Sequence, residues 1–499
     1  LSMKSGTNDF HGSLYYFGRN PRMNAVSNRL AGTQSVVRNH IGGGTLGNPI
    51  IKNKIFSFFS YEQWKSTQPQ NSVATLPTDL ERSGNFSQTF APGGGLRTIY
   101  DPYTTVFNAA ANSATRTPFP GNIIPANRID PTGQKVINDL WKPNNAGNDI
   151  TGINNYRQAY YWWLKYWNLS ERVDYNINDK WRMYARFSKY QTRLDNPNHG
   201  GTIAVRSDNG GIMDALNAAA DVLYMLSPST TLNFRYGATY MEDEYDSDWA
   251  KVPESVWAGL FPSGWYKPVL KDLPGIYYPS FSFTGNGSVG AGLGSWWQVR
   301  GRVHSGNATV THARGKHNMK AGYQLRHTYD YNGLPSVGGF TFHAVDTGNT
   351  FINHDVRGSG SQFASALLGV VNSGNASISP MFHNSYDQWG LFFQDDIKLT
   401  RNLTLNLGVR YEYENGPKED NLRFSRFLNL TTPIPEFQGA NTPQMPAAVT
   451  AISRVNYNYN GAWTFTDAAN PRVYPAKWNL LPRVGMAYRL SDTSAFRAG

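Results

Sequence analysis

The sequence predicts an all-β chain: an antiparallel transmembrane β-barrel, incomplete here, with about thirteen strands, short turns at one end and long loops at the other. Three observations predict it. Apolar and polar residues alternate with period two over stretches of about ten residues, the length that crosses a bilayer at a tilt. Short turns and long polar segments then alternate along the chain. Charge, finally, is scarce: 16% of residues are charged, where a soluble domain has about a quarter. With a mean hydropathy of -0.49, the polarity must come from Asn, Ser, Thr, Gly and Tyr. Strands with one apolar and one uncharged-polar face have that composition.

Strands are predicted near 10–18, 38–46 and 55–63. The clear hairpins follow. Trp167, Leu169, Val173, Tyr175 and Ile177 share one face, with Arg172, Asp174 and Asn176 opposite. Asn178-Asp179-Lys180 turns this strand into Trp181, Met183, Ala185 and Phe187, which alternate with Arg182, Tyr184 and Arg186. Glu171 breaks the apolar face, and the alternation gives no reason for it. Val222, Tyr224 and Leu226 turn at Ser227-Pro228-Ser229 into Leu232, Phe234, Tyr236, Ala238 and Tyr240. A strand near Trp297 to His312 turns at Gly315-Lys316-His317 into Met319, Ala321, Tyr323 and Leu325. Trp389, Leu391 and Phe393 lead through Thr400-Arg401-Asn402 to Leu403, Leu405, Leu407, Val409, Tyr411 and Tyr413. Trp478, Leu480, Val484, Met486, Tyr488 and Leu490 reach a turn at Ser491-Asp492-Thr493.

Between the hairpins lie long loops, near 64–164, 191–220, 241–295, 330–384 and 415–477. Bacterial barrels have this asymmetry, with tight periplasmic turns and long extracellular loops. Aromatic residues gather at strand ends, at Trp167, Trp181, Tyr411, Tyr413 and Trp478, where an interfacial girdle lies. By parity, Arg172, Asp174, Arg186, Arg326 and Arg410 point away from the apolar faces. They are the candidate lumen-facing residues.

Other classes fare worse. No stretch approaches the ~18 apolar residues of a membrane helix, which leaves the barrel open, because its backbone groups pair between strands. Without cysteine there is neither a disulfide framework nor a thiolate site. The net charge of +11 is scattered without a Lys/Arg run, which argues against nucleic acid. Gly42-Gly43-Gly44-Thr45-Leu46-Gly47 has dinucleotide-fingerprint spacing, but Pro49 and an aromatic strand follow where a helix is required. Glu242-Asp243-Glu244, with Asp246 and Asp248, reads as a solvated acidic stretch in an outside loop, without EF-hand spacing. His40, His312 and His317 belong to no metal-binding pattern. No nucleophile elbow is present, so no catalytic, metal or cofactor residues are assigned and the chain is not read as an enzyme. Ala364 to Val371 has short helical character and reads as a loop helix packed on the barrel mouth.

Several motifs carry a family resemblance. The opening Lys4-Ser5-Gly6-Thr7-Asn8-Asp9-Phe10-His11-Gly12-Ser13, then Tyr16-Phe17 and Arg19-Asn20, resembles the plug-to-barrel junction of Oar-like TonB-dependent outer-membrane receptors. Gly47-Asn48-Pro49-Ile50, Gly84-Asn85-Phe86-Ser87, Ile99-Tyr100-Asp101-Pro102 and Pro118-Phe119-Pro120-Gly121-Asn122-Ile123-Ile124-Pro125 continue it. So do Arg172-Val173-Asp174, Gln394-Asp395-Asp396, Leu403-Thr404-Leu405-Asn406-Leu407-Gly408-Val409-Arg410-Tyr411 and Pro482-Arg483-Val484-Gly485. Asn48 and Asn85 stand where the family pattern has Gly and Asp.

The resemblance implies a barrel of about 22 strands plugged by an N-terminal domain. It makes residues 1–9 the end of the plug and its junction, and 10–499 part of the barrel. Plug, energy-coupling segment and last strands are expected outside Leu1–Gly499. The implied partners are outer-membrane lipid, a TonB-type energy-coupling protein reached through the missing segment, and an unidentified extracellular ligand. The function implied is energy-dependent uptake across the outer membrane. The alternative is a barrel for surface adhesion or export. A soluble β-protein would need both sheet faces covered by protein.

Overall fold

The computed structural model describes all residues except 1–2, 25–35, 109–112, 196–201, 205–209, 246–250, 272–274, 293–296, 334–337, 350–357, 377–380, 443 and 445–458. Thirteen strands follow one another in chain order as a single antiparallel meander. They are β1 (His11–Arg19), β2 (Arg38–Ile51), β3 (Ile55–Ala74), β4 (Tyr156–Asn176), β5 (Trp181–Asp195), β6 (Gly211–Ser227) and β7 (Thr230–Tyr245). They continue with β8 (Trp297–Arg314), β9 (His317–Gly333), β10 (Phe382–Lys398), β11 (Leu403–Glu414), β12 (Lys477–Arg489) and β13 (Ala495–Ala498). The sheet is not closed: β1 and β13 are its two edges. Every second connection is a tight turn, from Lys52–Lys54 through Gly315-Lys316 to Leu490–Ser494, so all of these lie at one end. The long connections all lie at the other.

Directly paired residues on antiparallel strands project to the same face, so register identifies the faces. Ile55, Tyr175, Met183, Val222, Phe234, Ala308, Tyr323, Leu391, Tyr411 and Leu480 are paired in turn, one per strand across β3 to β12. This is one unbroken row without a charge, and Phe234, Tyr323, Leu391, Tyr411 and Leu480 are all exposed. The neighbouring row on the opposite face is Asp174, Tyr184, Asp221, Arg235, Asn307, Gln324, Gly390, Glu412 and Asn479. An apolar exposed face of this extent, backed by a polar one, is what a lipid-facing barrel wall presents. At the loop end of that wall Trp389 stacks on Tyr413 at 5.3 Å, and Trp478 stacks on Tyr411 at 5.3 Å, forming an aromatic cluster.

The strands are longer than the alternation predicts. β3 and β4 have 20 and 21 residues, so 64–74 and 156–164 are strand where loop was expected. At ~3.4 Å per residue and ~45° tilt they rise about 48 Å, well beyond the ~25 Å apolar band. Polarity rises outside the bilayer, so the apolar alternation fades before the ladder ends. Glu242-Asp243-Glu244, expected in a loop, accordingly lies in β7, where Glu242 accepts from Arg300 Nε at 2.6 Å. Asp246 and Asp248 lie outside the described residues. The glycine run 42–44 lies within β2.

The densest apolar core lies in the long connections. The described residues of segments 75–155, 251–292 and 338–376 fold together, burying Leu76, Phe86, Ile99, Ile137, Leu260, Tyr278, Phe281, Phe283 and Leu367. Each such side chain contributes about 1.5–3 kcal/mol. Its framework is a helix at Pro131–Asp139, another at Gln362–Leu367, and a small sheet. In that sheet Ser280–Thr284 pairs in parallel with Gly339–His343, stacking Phe281 on Phe340 at 5.7 Å and Phe283 on Phe342 at 5.5 Å. Asp130 caps the first helix, accepting from the Gly133 amide at 2.7 Å, and Pro131 supplies the preset first turn. The helix expected near Ala364 is real. It lies inside this core, with every residue from Gln362 to Leu367 buried, and offers no surface to a partner.

Candidate functional site: the polar face and the loop domain

All five residues singled out by parity lie on the polar face. Arg172, Arg186 and Arg326 occupy one register row, which runs Phe58, Arg172, Arg186, Ala219, Gly237, Ser305, Arg326, Gln388 and Glu414. Asp174 is in the adjacent row. Arg172 donates to both Asp174 oxygens at 2.9 and 2.7 Å and stacks over the Tyr184 ring at 4.2 Å. Arg410 donates to Glu412 at 2.5 Å and to Gln324 Oε1 at 2.7 Å.

The structure does not bring the five together. Arg172 and Asp174 form one group at the tight-turn end. There Arg172 also donates to the Met3 carbonyl at 3.1 Å, and Ser5 Oγ donates to Asp174 at 2.7 Å. Arg326 and Arg410 line a separate cavity of 390 Å³ with Arg235, Asn307, Gln324 and Glu412. Arg186 lines a third hollow, with Ser170, Ser188, Asn217 and Met3. Parity also marks Arg235, between Phe234 and Tyr236, which the sequence reading passed over; it donates to Asp221 at 2.7 Å.

The loop domain holds a site that the sequence did not indicate. A polar cavity of 340 Å³ opens between the folded segments, lined by Glu81, Thr89, Arg97, Asn155, Asn286 and Gln362. A Thr78–Glu81 capping box fixes Glu81: Thr78 N donates to its Oε2 at 2.9 Å, and Thr89 Oγ1 donates to its Oε1 at 2.8 Å. Burial nonetheless raises its carboxyl above the ordinary glutamate value, and burial lowers the Arg97 guanidinium. Gln362 is 1% exposed; its Nε2 donates to Asn286 O at 2.9 Å, while its Oε1 has no partner among the described residues.

Polar staples hold the domain. Arg82 reaches the carbonyls of Ile137 and, at 2.7 Å, Trp141. Arg116 Nη1 donates to the carbonyls of Asp346 at 2.8 Å and Gly348 at 3.0 Å. Tyr278 donates to Asp139 at 2.8 Å, and its hydroxyl is pushed up by burial. Arg128 holds Asp101 through two contacts of 2.9 and 3.0 Å, and that carboxylate raises the guanidinium.

The three histidines singled out by position have separate partners. His40 bonds Tyr16 at 2.6 Å, His312 bonds Thr230 at 2.8 Å and His317 bonds Asp395 at 2.6 Å. Among the described residues no cluster of three metal-ligating side chains occurs.

Among solved structures, the copper transporter OprC aligns at 8% identity and a TM-score of 0.40, over 98% of this chain and 44% of that one. A mutant ferric enterobactin receptor from Pseudomonas aeruginosa aligns at 8% and 0.38, over 99% and 44%. The ferric-catecholate import receptor Fiu from E. coli K12 aligns at 8% and 0.39, over 98% and 54%. This chain thus spans about half the length of these structures. No curated protein matches it. The outer membrane beta barrel domain family, however, matches residues 2–499. With its meander of tight turns and long loops, its lipid-facing row and its polar face, the chain belongs to that family and resides in the cell outer membrane.

Proposed function

We propose that this chain is part of a TonB-dependent transporter that takes up an extracellular ligand, first bound by the loop domain and then passed along the polar, lumen-facing wall. Residues 1–9 are the end of the plug in this reading, and 10–499 form part of the barrel. The observation that carries it is the seating of Met3 and Ser5 on Arg172 and Asp174, at the tight-turn end of the polar face. A plug that enters from the periplasm and must be moved by a coupling protein needs such an attachment: polar, hydrogen-bonded and breakable. The Asn8 side chain adds to it, donating to Asn53 Oδ1 at 2.7 Å and accepting from the Asn53 amide at 2.8 Å. Arg172, Asp174, Arg186, Arg326 and Arg410 line the lumen in this reading. Arg172 with Asp174 and Arg410 with Glu412 pair along their own strands on this wall, leaving selectivity to the loop cavity and the hollow around Arg326.

The test uses the full-length parent in living cells. Site-specific crosslinking to the inner-membrane energy-coupling protein, with uptake of ferric catecholates and copper as first probes, measures both halves of the proposal. The reading expects a crosslink that strengthens with a transported probe, and uptake that a protonophore abolishes. A parent that never contacts the coupling protein contradicts it. No observation in the described residues favours adhesion or export.

A further inference from the structure

We propose that the outward face of β1 to β5 binds a phosphate-bearing lipid of the outer leaflet. One acyl chain lies in a glycine-floored groove, and the phosphate is held by His40, Lys65 and Lys165. The groove follows from register. On the outward face, Leu14, Gly44 and Tyr61 form one row across β1 to β3, and Tyr16, Gly42 and Gln63 form the next. Gly42 and Gly44 add no side chain of their own between Leu14 and Tyr16 on one side and Phe59 and Tyr61 on the other, and the Leu14 side chain leans over Gly44. The result is a trough of 810 Å³. Leu14 is 93% exposed, and this wall continues the apolar lipid-facing surface.

One end of the trough is basic. His40 pairs with Lys65, Lys65 with Lys165, and Lys165 with Arg193, so four groups that carry or can acquire positive charge stand in one row on adjacent strands. Like charges directly opposite one another destabilise a sheet. Asp195 alone answers them, 3.4 Å from Lys165 Nζ and 2.8 Å from Arg193 Nε. Lys65 has no hydrogen-bond or ion-pair partner among the described residues, and Tyr16 orients the His40 ring by bonding its Nδ1 at 2.6 Å.

Depth gives the occupant. Lys65 is the tenth residue beyond Ile55, where β3 leaves its tight turn. Ten residues at ~3.4 Å and ~45° tilt rise about 24 Å, the upper limit of the ~25 Å apolar band. The cations therefore sit at headgroup level, and the groove below them runs beside the acyl chains of the same leaflet. Free phosphate has no use for the groove, and a neutral lipid leaves the cations unanswered. A lipid with both features answers both.

The parent protein, purified in detergent, is titrated by native mass spectrometry with bis-phosphorylated lipid A, with the same lipid dephosphorylated, and with phosphatidylethanolamine. The expected result is about thirtyfold tighter retention of the phosphorylated form, from roughly two basic contacts near the surface. Lys65→Glu with Lys165→Glu should erase that preference, and Gly42→Leu should weaken both lipid A forms by filling the groove. Folding of each variant is checked by heat-modifiable gel mobility. If the double Glu variant fails to fold, Lys65→Gln with Lys165→Gln, which removes the charges without reversing them, must show the same loss of preference. Equal retention of the two lipid A forms by the unaltered protein, or an unchanged preference in a folded lysine variant, overturns the proposal.

Discussion

Ser5 donates its hydroxyl to Asp174 at 2.7 Å, and the same carboxylate is held by Arg172 at 2.9 and 2.7 Å. Asp174 therefore both anchors the leading segment and neutralises the arginine that reaches the Met3 carbonyl. Asp174→Ala removes the anchor and leaves Arg172 half-buried without its counter-ion. Tryptic cleavage after Lys4 in the folded parent should accelerate by about tenfold, corresponding to roughly 1.4 kcal/mol of lost attachment. Asp174→Asn still accepts from Ser5 and should have a smaller effect. An unchanged cleavage rate in the alanine variant would mean that the contact does not hold the segment.

The loop domain should come apart independently of the barrel. Arg82→Met leaves the buried carbonyls of Ile137 and Trp141 without their donor, costing about 2 kcal/mol. Hydrogen exchange in peptides covering 131–141 should rise about thirtyfold, while peptides from β10 and β11 keep their protection.

Close packing of the two core helices makes a second, steric prediction. A Cβ on Gly133 would stand 1.8 Å from the Ala366 carbonyl oxygen, so the helices must separate. Gly133→Ala should destabilise the loop domain by about 1–3 kcal/mol, read as lower exchange protection over 360–370. Unaltered protection would show that the helix contact is more compliant than its geometry.

Glu81 carries a pH dependence with a definite sign. Burial raises its folded value above the unfolded one, so the folded loop domain binds the proton more tightly. Its stabilising contribution is complete below the ordinary glutamate range and is lost as pH rises through the folded value. Loop-domain stability, from exchange corrected for intrinsic rates, should fall across that window. Glu81→Gln, which keeps an acceptor for Thr78 N, should flatten the profile and stabilise the domain at neutral pH. A profile that rises with pH would reverse the assignment.

The membrane wall was legible because its determinants are local. Period two, tight turns and parity are written within a dozen residues, which is why the Leu403 and Trp181 hairpins and the polar side of Arg410 could be read directly. Strand length was not legible, since Gln158 or Ser72 forms ladder bonds in water without an apolar signature. The loop domain was invisible for a different reason. Its core joins Leu76, Ile137, Phe281 and Leu367, residues from three separated segments, and no local pattern encodes that meeting. Glu171, which interrupts an apolar face, has a partner only in three dimensions: Ser57 Oγ donates to it at 2.6 Å.

Which face of this sheet meets lipid is the central claim, and β11 tests it most directly. The chain has no cysteine of its own. Single spin labels at positions 404–413 of the full-length parent in lipid can be read by collision with oxygen and with an aqueous nickel chelate. Labels at Leu405, Leu407, Val409 and Tyr411 should meet oxygen, and labels at Thr404, Asn406, Gly408 and Arg410 should meet nickel. Two faces that behave alike, or that are both shielded, would contradict the lipid-facing wall.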